Sequence, residues 1–315
     1  MNLQQLRYAV EVEKEKSITA AAKKLYVGQP NLSKSIKELE LEIGSTIFNR
    51  TGRGVEPTNT GLLFLRYAKS ILLQFDELEA LFHPRGDSSV RFTSSVPRAT
   101  YISSVFSSYI NKLGKSDQLN IKYKETNSVD AVTDVVVGDS AIGVVRYQQA
   151  YEDYYMGLIR DSALQFELLL NFKMQLLISR SHPLADCEDV RLSQLEGCHE
   201  LLFGDTQEPA LPKGRLNEVA QLNASSSYIN IFDRGSQFDF LENVEGSYLW
   251  VSPIPQHILD RHNLVLKPCS EVGLSRDIII YKNKDTLGDI PLKFIEELHN
   301  AAKSISSDIT NSGEV

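Results

Sequence analysis

The chain has 315 residues, of which 42% are hydrophobic and 23% are charged. This composition is typical of a globular protein with roughly two or three domains. No apolar run reaches the roughly 18–20 residues that a membrane span needs, which excludes a membrane-spanning helix. The opening segment is amphipathic and lacks the apolar region of a signal peptide, so we expect a cytoplasmic protein.

Charge is distributed unevenly along the chain, whose formal net charge is −8. Residues 1–70 hold 11 Lys and Arg against 7 Asp and Glu, whereas the remaining residues hold 22 against 34. This asymmetry suits a small DNA-binding domain attached to an acidic body that does not contact phosphates.

The three cysteines, Cys187, Cys198 and Cys269, are far apart in the sequence and form no CxxC pair. Their odd number and their spacing support neither a disulfide framework nor a zinc site. We interpret them as buried or incidental residues, with a redox-sensing thiol as the alternative.

Three short helices are predicted over the first 44 residues. The segment from Leu3 to Lys16 is amphipathic, and Ser17-Ile18-Thr19 then offers a cap for a second helix. After the turn Tyr26-Val27-Gly28, a third helix is predicted to begin at Gln29-Pro30 and to end at Gly44. Two helices joined by so short a turn are typical of a helix-turn-helix.

A hairpin and a long helix are predicted next. Residues 47–58 contain two glycines, two arginines and a closing Pro-Thr pair, which indicate a tight hairpin, or wing. We therefore assign residues 1–58 to a winged helix-turn-helix DNA-binding domain. The helix that follows, from Thr58 or Asn59 to about Phe82, has apolar residues at helix or coiled-coil spacing. This helix and the breaker-rich hinge after it form a linker over residues 59–87. We expect a second copy of the chain to cover the apolar face of the helix.

The pattern changes after the hinge to strands alternating with helices. This alternation predicts an α/β body with largely parallel sheets over residues 88–305, followed by a disordered tail over residues 306–315. The predicted elements are strands at Val90–Ser95, Asn120–Glu125, Ala141–Arg146, Leu176–Ser179, His199–Phe203, Ser227–Phe232, Tyr248–Ser252 and Asp277–Tyr281, and helices at Thr100–Leu113 and Pro291–Ser304.

The N-terminal residues resemble the LysR-type transcriptional regulators. In that family the pattern SFTxAA…L…SQPxxSxxIxxLExxLGxxLFxR…R…xTxxG marks the DNA-binding domain. More than a dozen positions of this chain agree with it in order: Ser17-Ile18-Thr19, Ala21-Ala22, Leu25, Gln29-Pro30, Leu32-Ser33, Ile36, Leu39-Glu40, Gly44, Phe48, Arg50, Arg53, Thr58 and Gly61. The likeness extends more weakly to the whole chain through its length, its linker helix and the turn Ser181-His182-Pro183-Leu184.

The resemblance implies an α+β multidomain fold: an N-terminal winged helix-turn-helix, a long linker helix, and a two-lobed α/β domain like a periplasmic binding protein. Lobe I is expected over residues 88–161 and 266–305, and lobe II over residues 162–265. The chain departs from the family pattern at Gly28, where Ser is usual, at Ile18, where Phe is usual, and at Asn31, where Ala is common. Glycine is an acceptable helix cap, but a hydroxyl that could contact a phosphate is missing.

The third helix is expected to enter the major groove and to read bases with its N-terminal residues. Amide side chains can pair bidentately with adenine, and a proline can contact a thymine methyl group. Arginines of the wing would reach phosphates or the adjacent minor groove. The candidates are Gln29, Pro30, Asn31 and Lys34 for bases, Ser33 and Lys37 for phosphates, and Arg50 and Arg53 on the wing.

By the same likeness, the ends of the first two strands of the body line an effector cleft between the lobes. Hydroxyl groups, free N–H groups and two arginines there favour an anionic effector such as a carboxylate. The same Ser and Thr residues could instead serve only as helix caps. The candidate effector-binding residues are Ser94, Ser95, Arg98, Thr126, Asn127, Ser128, Arg146, Phe203 and Gly204.

No motif in the sequence indicates an enzyme. GxSxG, P-loop, GxGxxG and HExxH patterns are absent, and the six histidines do not cluster, so we expect no catalytic residue, no cofactor and no metal. The sequence therefore predicts a sequence-specific DNA-binding regulator whose body senses a small, anionic metabolite and alters promoter DNA binding or bending. The alternative is an effector-independent repressor whose body only oligomerises.

Four kinds of partner follow from that prediction. They are double-stranded DNA carrying an imperfect palindrome, a small-molecule effector, further copies of the chain in a homotetramer assembled as a dimer of dimers, and RNA polymerase. The sequence leaves open the effector's identity, the target genes, activation against repression, and dimer against tetramer.

Overall fold

The structure is a computed structural model, and it describes residues 1–51, 54–82, 89–113, 118–205 and 227–311. The chain divides into two compact units, Met1–Asp87 and Ser88–Val315. Within the described residues, no helix is both long enough and apolar enough to cross a membrane.

The first unit contains four helices and a two-stranded hairpin among its described residues. They are α1 (Leu3–Glu15), α2 (Ile18–Lys24), α3 (Gln29–Ile43), β1 (Phe48–Thr51), β2 (Gly54–Pro57) and α4 (Asn59–Phe82).

Local sequence explains where the first three helices begin and end. The Asn2 side chain caps α1 by accepting from the Gln5 N–H, and Ser17 Oγ caps α2 by accepting from the Ala20 N–H. Helix α3 ends at Gly44, whose left-handed φ of 69° a glycine adopts without steric cost. Leu32, on the inner face of α3, is fully buried in the core that joins these helices to the hairpin.

The hairpin is fixed to the helices on both sides. One carboxylate oxygen of Glu40, on α3, accepts hydrogen bonds from the N–H groups of Ile47 at 2.8 Å and Phe48 at 3.0 Å. Thr58 Oγ1 donates to the Thr46 carbonyl at 2.7 Å and accepts from the Gly61 N–H at 2.8 Å. Of the two predicted caps of α4, Thr58 is therefore the residue that caps it.

The second unit alternates strands and helices. In chain order the described elements are β3 (Ser89–Val96), α5 (Thr100–Lys112), β4 (Gln118–Glu125), α6 (Ser128–Val137), β5 (Ile142–Gln148), α7 (Glu152–Asp161), β6 (Gln165–Lys173), β7 (Gln175–Ser179), β8 (His199–Phe203), β9 (Tyr228–Ile231), α8 (Ser236–Asn243), β10 (Ser247–Val251), α9 (Gln256–Arg261), β11 (Leu264–Lys267), β12 (Leu274–Tyr281) and α10 (Asp289–Asn311).

These strands form two five-stranded sheets, and each sheet is the centre of one lobe. The first sheet has the order β4-β3-β5-β12-β6, and the second has the order β11-β7-β10-β8-β9. The chain crosses from the first sheet to the second between β6 and β7, and it returns between β11 and β12. Strand β6 thus belongs to the first lobe, whereas the sequence placed residues 162–173 in lobe II.

The sheets are mixed, which corrects the prediction of largely parallel sheets. Strand β3 is parallel to β4 and β5, and β8 is parallel to β9 and β10. Strand β12, however, is antiparallel to β5 and β6, and β7 is antiparallel to β10 and β11. The antiparallel strands adjoin the two crossings between lobes, where the chain switches sheets without a crossover helix.

The C-terminal helix is longer than predicted. Helix α10 runs to Asn311, so residues 306–311 are helical and not part of a disordered tail. Ile305 packs against the apolar core of the first lobe, which continues the apolar face of the helix beyond the predicted end at Ser304. Residues 312–315 of the predicted tail lie outside the described residues.

Candidate DNA-binding surface and effector site

The N-terminal end of α3 presents three exposed side chains next to one another: Gln29, Pro30 and Asn31. Pro30 lies in the first turn, where the missing N–H has no intrahelical partner. Gly28 is the N-cap and gives the helix no side-chain cap. A Cβ at position 28 would meet its nearest atom, Asn31 Nδ2, at 3.6 Å, so the serine that is usual in the family would fit there.

The next turns of α3 separate inward from outward residues. Lys34 and Lys37 are exposed, Ser33 is half-buried, and Ile36 faces the core. The ammonium of Lys34 lies 3.7 Å from the carboxylate of Glu38, one turn along the helix. Because both groups are exposed, this pair is weak in water and leaves Lys34 able to turn toward a base edge.

The two wing arginines are less fully defined. Arg50 lies in β1, directly opposite Val55 in β2, and nothing is described of its side chain. Arg53 falls on the hairpin tip, outside the described residues.

One exposed aromatic residue next to α3 was not among the predicted DNA-contacting residues. Tyr26 is 96% exposed and has a φ of 56°, in the left-handed region that favours glycine. It lies in the turn between α2 and α3, and the sequence pattern marked it only as a turn residue. The signal in the sequence that could have identified Tyr26 as a candidate is an aromatic residue directly before α3.

The two lobes of the second unit enclose a cavity of about 400 Å³. That volume is within the range of about 300–1,000 Å³ that small-molecule sites occupy. Residues from both sheets line it: Pro97, Arg98, Thr126, Asn127, Ser128, Arg146, Tyr147, Gln148, Tyr151, Tyr155, Met174, Glu200, Leu201, Leu202, Phe203, Gly204, Asn230, Leu249, Trp250 and Ser275.

Most of the predicted effector-binding residues meet at this cavity. It is lined by Arg98, Thr126, Asn127, Ser128, Arg146, Phe203 and Gly204. Asn127 Oδ1 caps α6 by accepting from the Asp130 N–H at 2.9 Å, and Ser128 Oγ binds the backbone of Arg146. These side chains therefore also serve the local structure.

Ser94 and Ser95 do not line the cavity, which corrects their assignment. Both are fully buried within β3. Ser95 Oγ donates to Asp134 Oδ2 at 2.5 Å and lies 2.8 Å from Ser140 Oγ, so it belongs to a polar network on the side of α6. Strand β3 ends at Val96. In this part of the chain, the residues that line the cavity are the two that follow the strand, Pro97 and Arg98.

Arg146 is neutralised by a buried carboxylate. Its Nε and one terminal nitrogen donate to the two oxygens of Asp277 at 2.8 and 2.6 Å, and Asp277 is fully buried. The Tyr101 hydroxyl also donates to Asp277, at 2.6 Å. Burial is the largest influence and acts to lower the pKa of Arg146, but the charge and hydrogen bonds of Asp277, together with Tyr101, outweigh it and raise that pKa. Burial and the same charge hold the pKa of Tyr101 well above its usual value, so its hydroxyl stays protonated.

Arg98 is also paired, and its partner lies in the other lobe. A terminal nitrogen donates to Asp205 Oδ2 at 2.6 Å, while the guanidinium lies 4.4 Å from the centre of the Phe203 ring. A second interlobe ion pair joins Arg234 to Glu125, and Arg234 also donates to Thr100 Oγ1 at 2.6 Å.

Sequence reasoning missed most of the apolar lining. Tyr151, Tyr155, Leu249 and Trp250 come from elements far apart in the sequence, and nothing in their local pattern marks them as cavity residues. From one sequence alone, a buried aromatic residue of the hydrophobic core cannot be distinguished from one that lines a cavity.

Two of the three cysteines, Cys198 and Cys269, have thiols that burial keeps protonated. Burial raises the pKa of Cys198 and of Cys269, so neither thiol is depleted of its proton at neutral pH. Among the described residues, no group of three or more His, Cys, Asp or Glu side chains could hold a metal ion.

A winged helix-turn-helix is a DNA-binding module, and here it is followed by a two-sheet α/β body, an arrangement suited to a DNA-binding transcriptional regulator. Residues 3–62 match the family model described as "Bacterial regulatory helix-turn-helix protein, lysR family". The regulator AlsR of Bacillus subtilis is 28% identical over 301 residues, which cover 94% of each chain. Residues 3–62 are therefore a LysR-type helix-turn-helix domain, and the chain is similar to a LysR-type regulator over nearly its whole length. Other similar proteins, such as BenM of Acinetobacter baylyi at 29% identity over 73% of each chain, are also named as transcriptional regulators.

Solved full-length structures share the fold. The structure of CbnR, a LysR-family regulator, complexed with its target DNA has a TM-score of 0.59 at 17% identity, covering 96% of this chain and 100% of that one. The structure of LysG from Corynebacterium glutamicum with bound effector Arg has a TM-score of 0.55 at 14% identity, covering 96% and 99%.

Proposed function

We propose that this regulator reads DNA with the N-terminal end of α3 and responds to a small molecule held between the lobes of its body. The observation that carries the proposal is the interlobe cavity, which gathers residues from both sheets around a ligand-sized volume. A ligand that contacts both lobes can bias their relative setting, which is the requirement for a ligand-driven switch.

The DNA contacts divide into two kinds. Gln29 and Asn31 carry amides that can pair with adenine, with Pro30 and Lys34 beside them at base edges. Ser33, Lys37, Arg50 and Arg53 contact phosphates or the minor groove and fix the position of the helix. Two observations support DNA contact by α3: Gln29, Asn31 and Lys37 are exposed, and CbnR, which shares the fold, forms a complex with its target DNA. The division between bases and phosphates follows from the chemistry of the side chains.

This division is tested by measuring the affinity of the regulator for a promoter fragment and for a scrambled fragment. Both affinities are measured over a series of salt concentrations. Gln29→Ala and Asn31→Ala should each cost about 1–3 kcal/mol on the promoter and little on the scrambled fragment. Lys37→Ala should weaken binding to both fragments and reduce the salt slope by about one. The control is Lys303→Ala, an exposed lysine on α10. Equal losses for all three variants on both fragments would contradict the assignment.

The effector site is tested by filling the cavity. Gln148 lines it and Gln149, the next residue, does not, so Gln148→Trp and Gln149→Trp form a matched pair. A thermal-shift screen of metabolites should find a compound that raises the melting temperature of the wild type and of Gln149→Trp, by mass action, but not of Gln148→Trp. The same compound should change promoter affinity.

The outcome also decides between the two functions that the sequence allows. If no metabolite stabilises the wild type, or if Gln148→Trp responds equally, the body is an effector-independent oligomerisation domain. The structure of LysG, which holds a bound effector, supports the ligand-responsive function.

Oligomerisation is proposed to act through α4. Apolar side chains are exposed along this helix, and a second copy would cover them: Leu62, Leu63, Tyr67, Ile71 and Leu78. A dimer would present two recognition helices about 34 Å apart on an imperfect palindrome, and two dimers would form a tetramer. The effector would then change the bend of the promoter and its access to RNA polymerase. This surface is tested by comparing the mass of the assembly in solution between the Leu63→Glu variant and the wild type.

A further inference from the structure

We propose that the effector of this protein is an uncharged, ring-bearing molecule with a polar group that both donates and accepts hydrogen bonds, such as an amide. This inference rests on the proposed function, and it names the class of ligand. It differs from the anionic effector that the two arginines favoured in the sequence.

The first argument is charge. Among the described residues that line the cavity, the cationic side chains are Arg98 and Arg146, and each already faces a carboxylate at 2.6 Å. Arg146 is 14% exposed, and both oxygens of Asp277 are bonded to it. A ligand carboxylate would have to displace Asp205, share Arg98 with it, or lie in the cavity without a counter-ion, and each arrangement leaves a partly buried negative charge unbalanced or exposes one that was paired. Glu200, also on the lining, adds a further carboxylate.

The second argument is the shape and chemistry of the walls. Aromatic rings line the cavity from both lobes, with Tyr147 and Tyr155 stacked at a centroid distance of 5.4 Å on one side and Phe203 on the other. Met174 and Leu249 add apolar surface. Flat, largely apolar walls of this kind favour a ring, which buries apolar area and stacks at little conformational cost.

The third argument is the set of polar groups that remain available. The side-chain amide of Gln148, which lines the cavity, makes no hydrogen bond to the described residues. An amide carries one acceptor oxygen and two donor hydrogens, so a neutral ligand group that both donates and accepts can pair with it in both directions. Trp250 also lines the cavity, but its Nε1 has almost no accessible surface and is therefore not counted among the available groups. A carboxylate could serve only as an acceptor.

The experiment uses Trp250 as a reporter, because it is the single tryptophan of the sequence. Its fluorescence in the full-length protein is titrated with three probes on the same ring: para-tert-butylbenzamide, para-tert-butylbenzoate and para-tert-butylbenzylamine. The amide should bind with a Kd at least about tenfold below those of the benzoate and the benzylamine.

Two variants show whether the ion pair of Arg98 is the cause. Asp205→Asn removes the charge that neutralises Arg98 and should improve benzoate binding about tenfold. Glu125→Gln removes the other interlobe ion pair, whose residues do not line the cavity, and should leave the order of the three probes unchanged. Opening of the lobes alone would affect both variants equally.

The outcomes separate this inference from the proposed function. Preference for the benzoate or the benzylamine in the wild type overturns the ligand class but leaves an effector site in place. Absence of saturable quenching by all three probes also overturns the class, whereas the metabolite screen with Gln148→Trp decides independently whether any effector binds. Equal gains of benzoate affinity in Asp205→Asn and Glu125→Gln would show that Arg98 does not set the preference.

Discussion

At the scale of single residues, the buried imidazole of His182 links the stability of the second lobe to pH. Its Nδ1 accepts a hydrogen bond from the Leu184 N–H at 3.1 Å, and the side chain is buried. Burial lowers the pKa of His182, and the nearby Gly246 carbonyl opposes that shift only in part. The folded protein therefore holds this side chain neutral at a pH where the unfolded chain would protonate it.

Acidification is expected to destabilise the protein through His182. Above the unfolded pKa of about 6.5 the contribution to stability is complete. As the pH falls below that value the unfolded chain binds a proton that the folded chain does not, so the free energy of unfolding decreases until the folded pKa is passed. His182→Asn can keep the acceptor for Leu184 but cannot titrate, so its unfolding free energy should depend less on pH from about 7.5 down to about 5.

The control for that measurement is His257→Asn, because His257 is exposed. It should retain the pH dependence of the wild type. An identical pH profile for His182→Asn and the wild type would mean that His182 is protonated equally in both states.

At the scale of elements, the junction between the wing and α4 depends on a close approach of two backbones. A Cβ on Gly61 would lie 2.0 Å from the Ile47 carbonyl oxygen, far inside the contact distance of real atoms. Because Ile47 precedes β1 and its N–H is held by Glu40, the backbone there has little freedom to move. Gly61→Ala should therefore cost about 2 kcal/mol or more, by overpacking, and should weaken DNA binding by displacing the wing.

Gly157, in α7, supplies the control for Gly61. A Cβ there would meet nothing within 4 Å, so Gly157→Ala should be neutral or stabilise the helix by up to about 1 kcal/mol. Urea unfolding of both variants gives the comparison. A Gly61→Ala variant as stable as Gly157→Ala would show that the α4 junction can separate freely.

Strand β6 shows why some elements could not be predicted from the sequence. Phe166, Leu168, Leu170 and Phe172 alternate with other residues and would be assigned to one face of a strand. In the sheet, Leu170 pairs with Asp277 and Leu168 with Ile278, so Leu169 is an extra, bulged residue. The bulge reverses the alternation, so Phe166 and Leu168 are exposed whereas Leu170 and Phe172 are buried. A bulge is set by the partner strand, far away along the chain, and has no local signal.

At the scale of the whole molecule, the candidate DNA-binding surface was predictable and the cavity was predictable only in part. Gln29, Asn31 and Lys34 follow from one helix whose start is marked by Pro30 and whose inner face is set by Leu32 and its periodic neighbours. The cavity joins residues that a sheet crossing brings together, and the carboxylates that neutralise its arginines come from β12 and from the end of β8. Spacing in the sequence carries no information about such pairs.

The interlobe ion pairs should restrain the opening of the cavity. Arg234 and Glu125 are each 19% exposed, so their attraction is less screened than that of a surface pair. A double-mutant cycle with Glu125→Gln and Arg234→Gln should give a coupling free energy of about 1–2 kcal/mol. Amide exchange should also quicken in β8, which lines the cavity from the second lobe, because opening the lobes exposes it.

The exposed pair Lys112–Glu297, within the first lobe, is the control for the cycle. Its side chains are 57% and 33% exposed, and pairs of this kind contribute about 0–1 kcal/mol. The same cycle on that pair should give little coupling and leave exchange in β8 unchanged, because Lys112 and Glu297 do not join the lobes. If the Arg234–Glu125 cycle gives no more coupling than this control, the two lobes are held together by their apolar contacts, and an effector would have to change those contacts to reset the regulator.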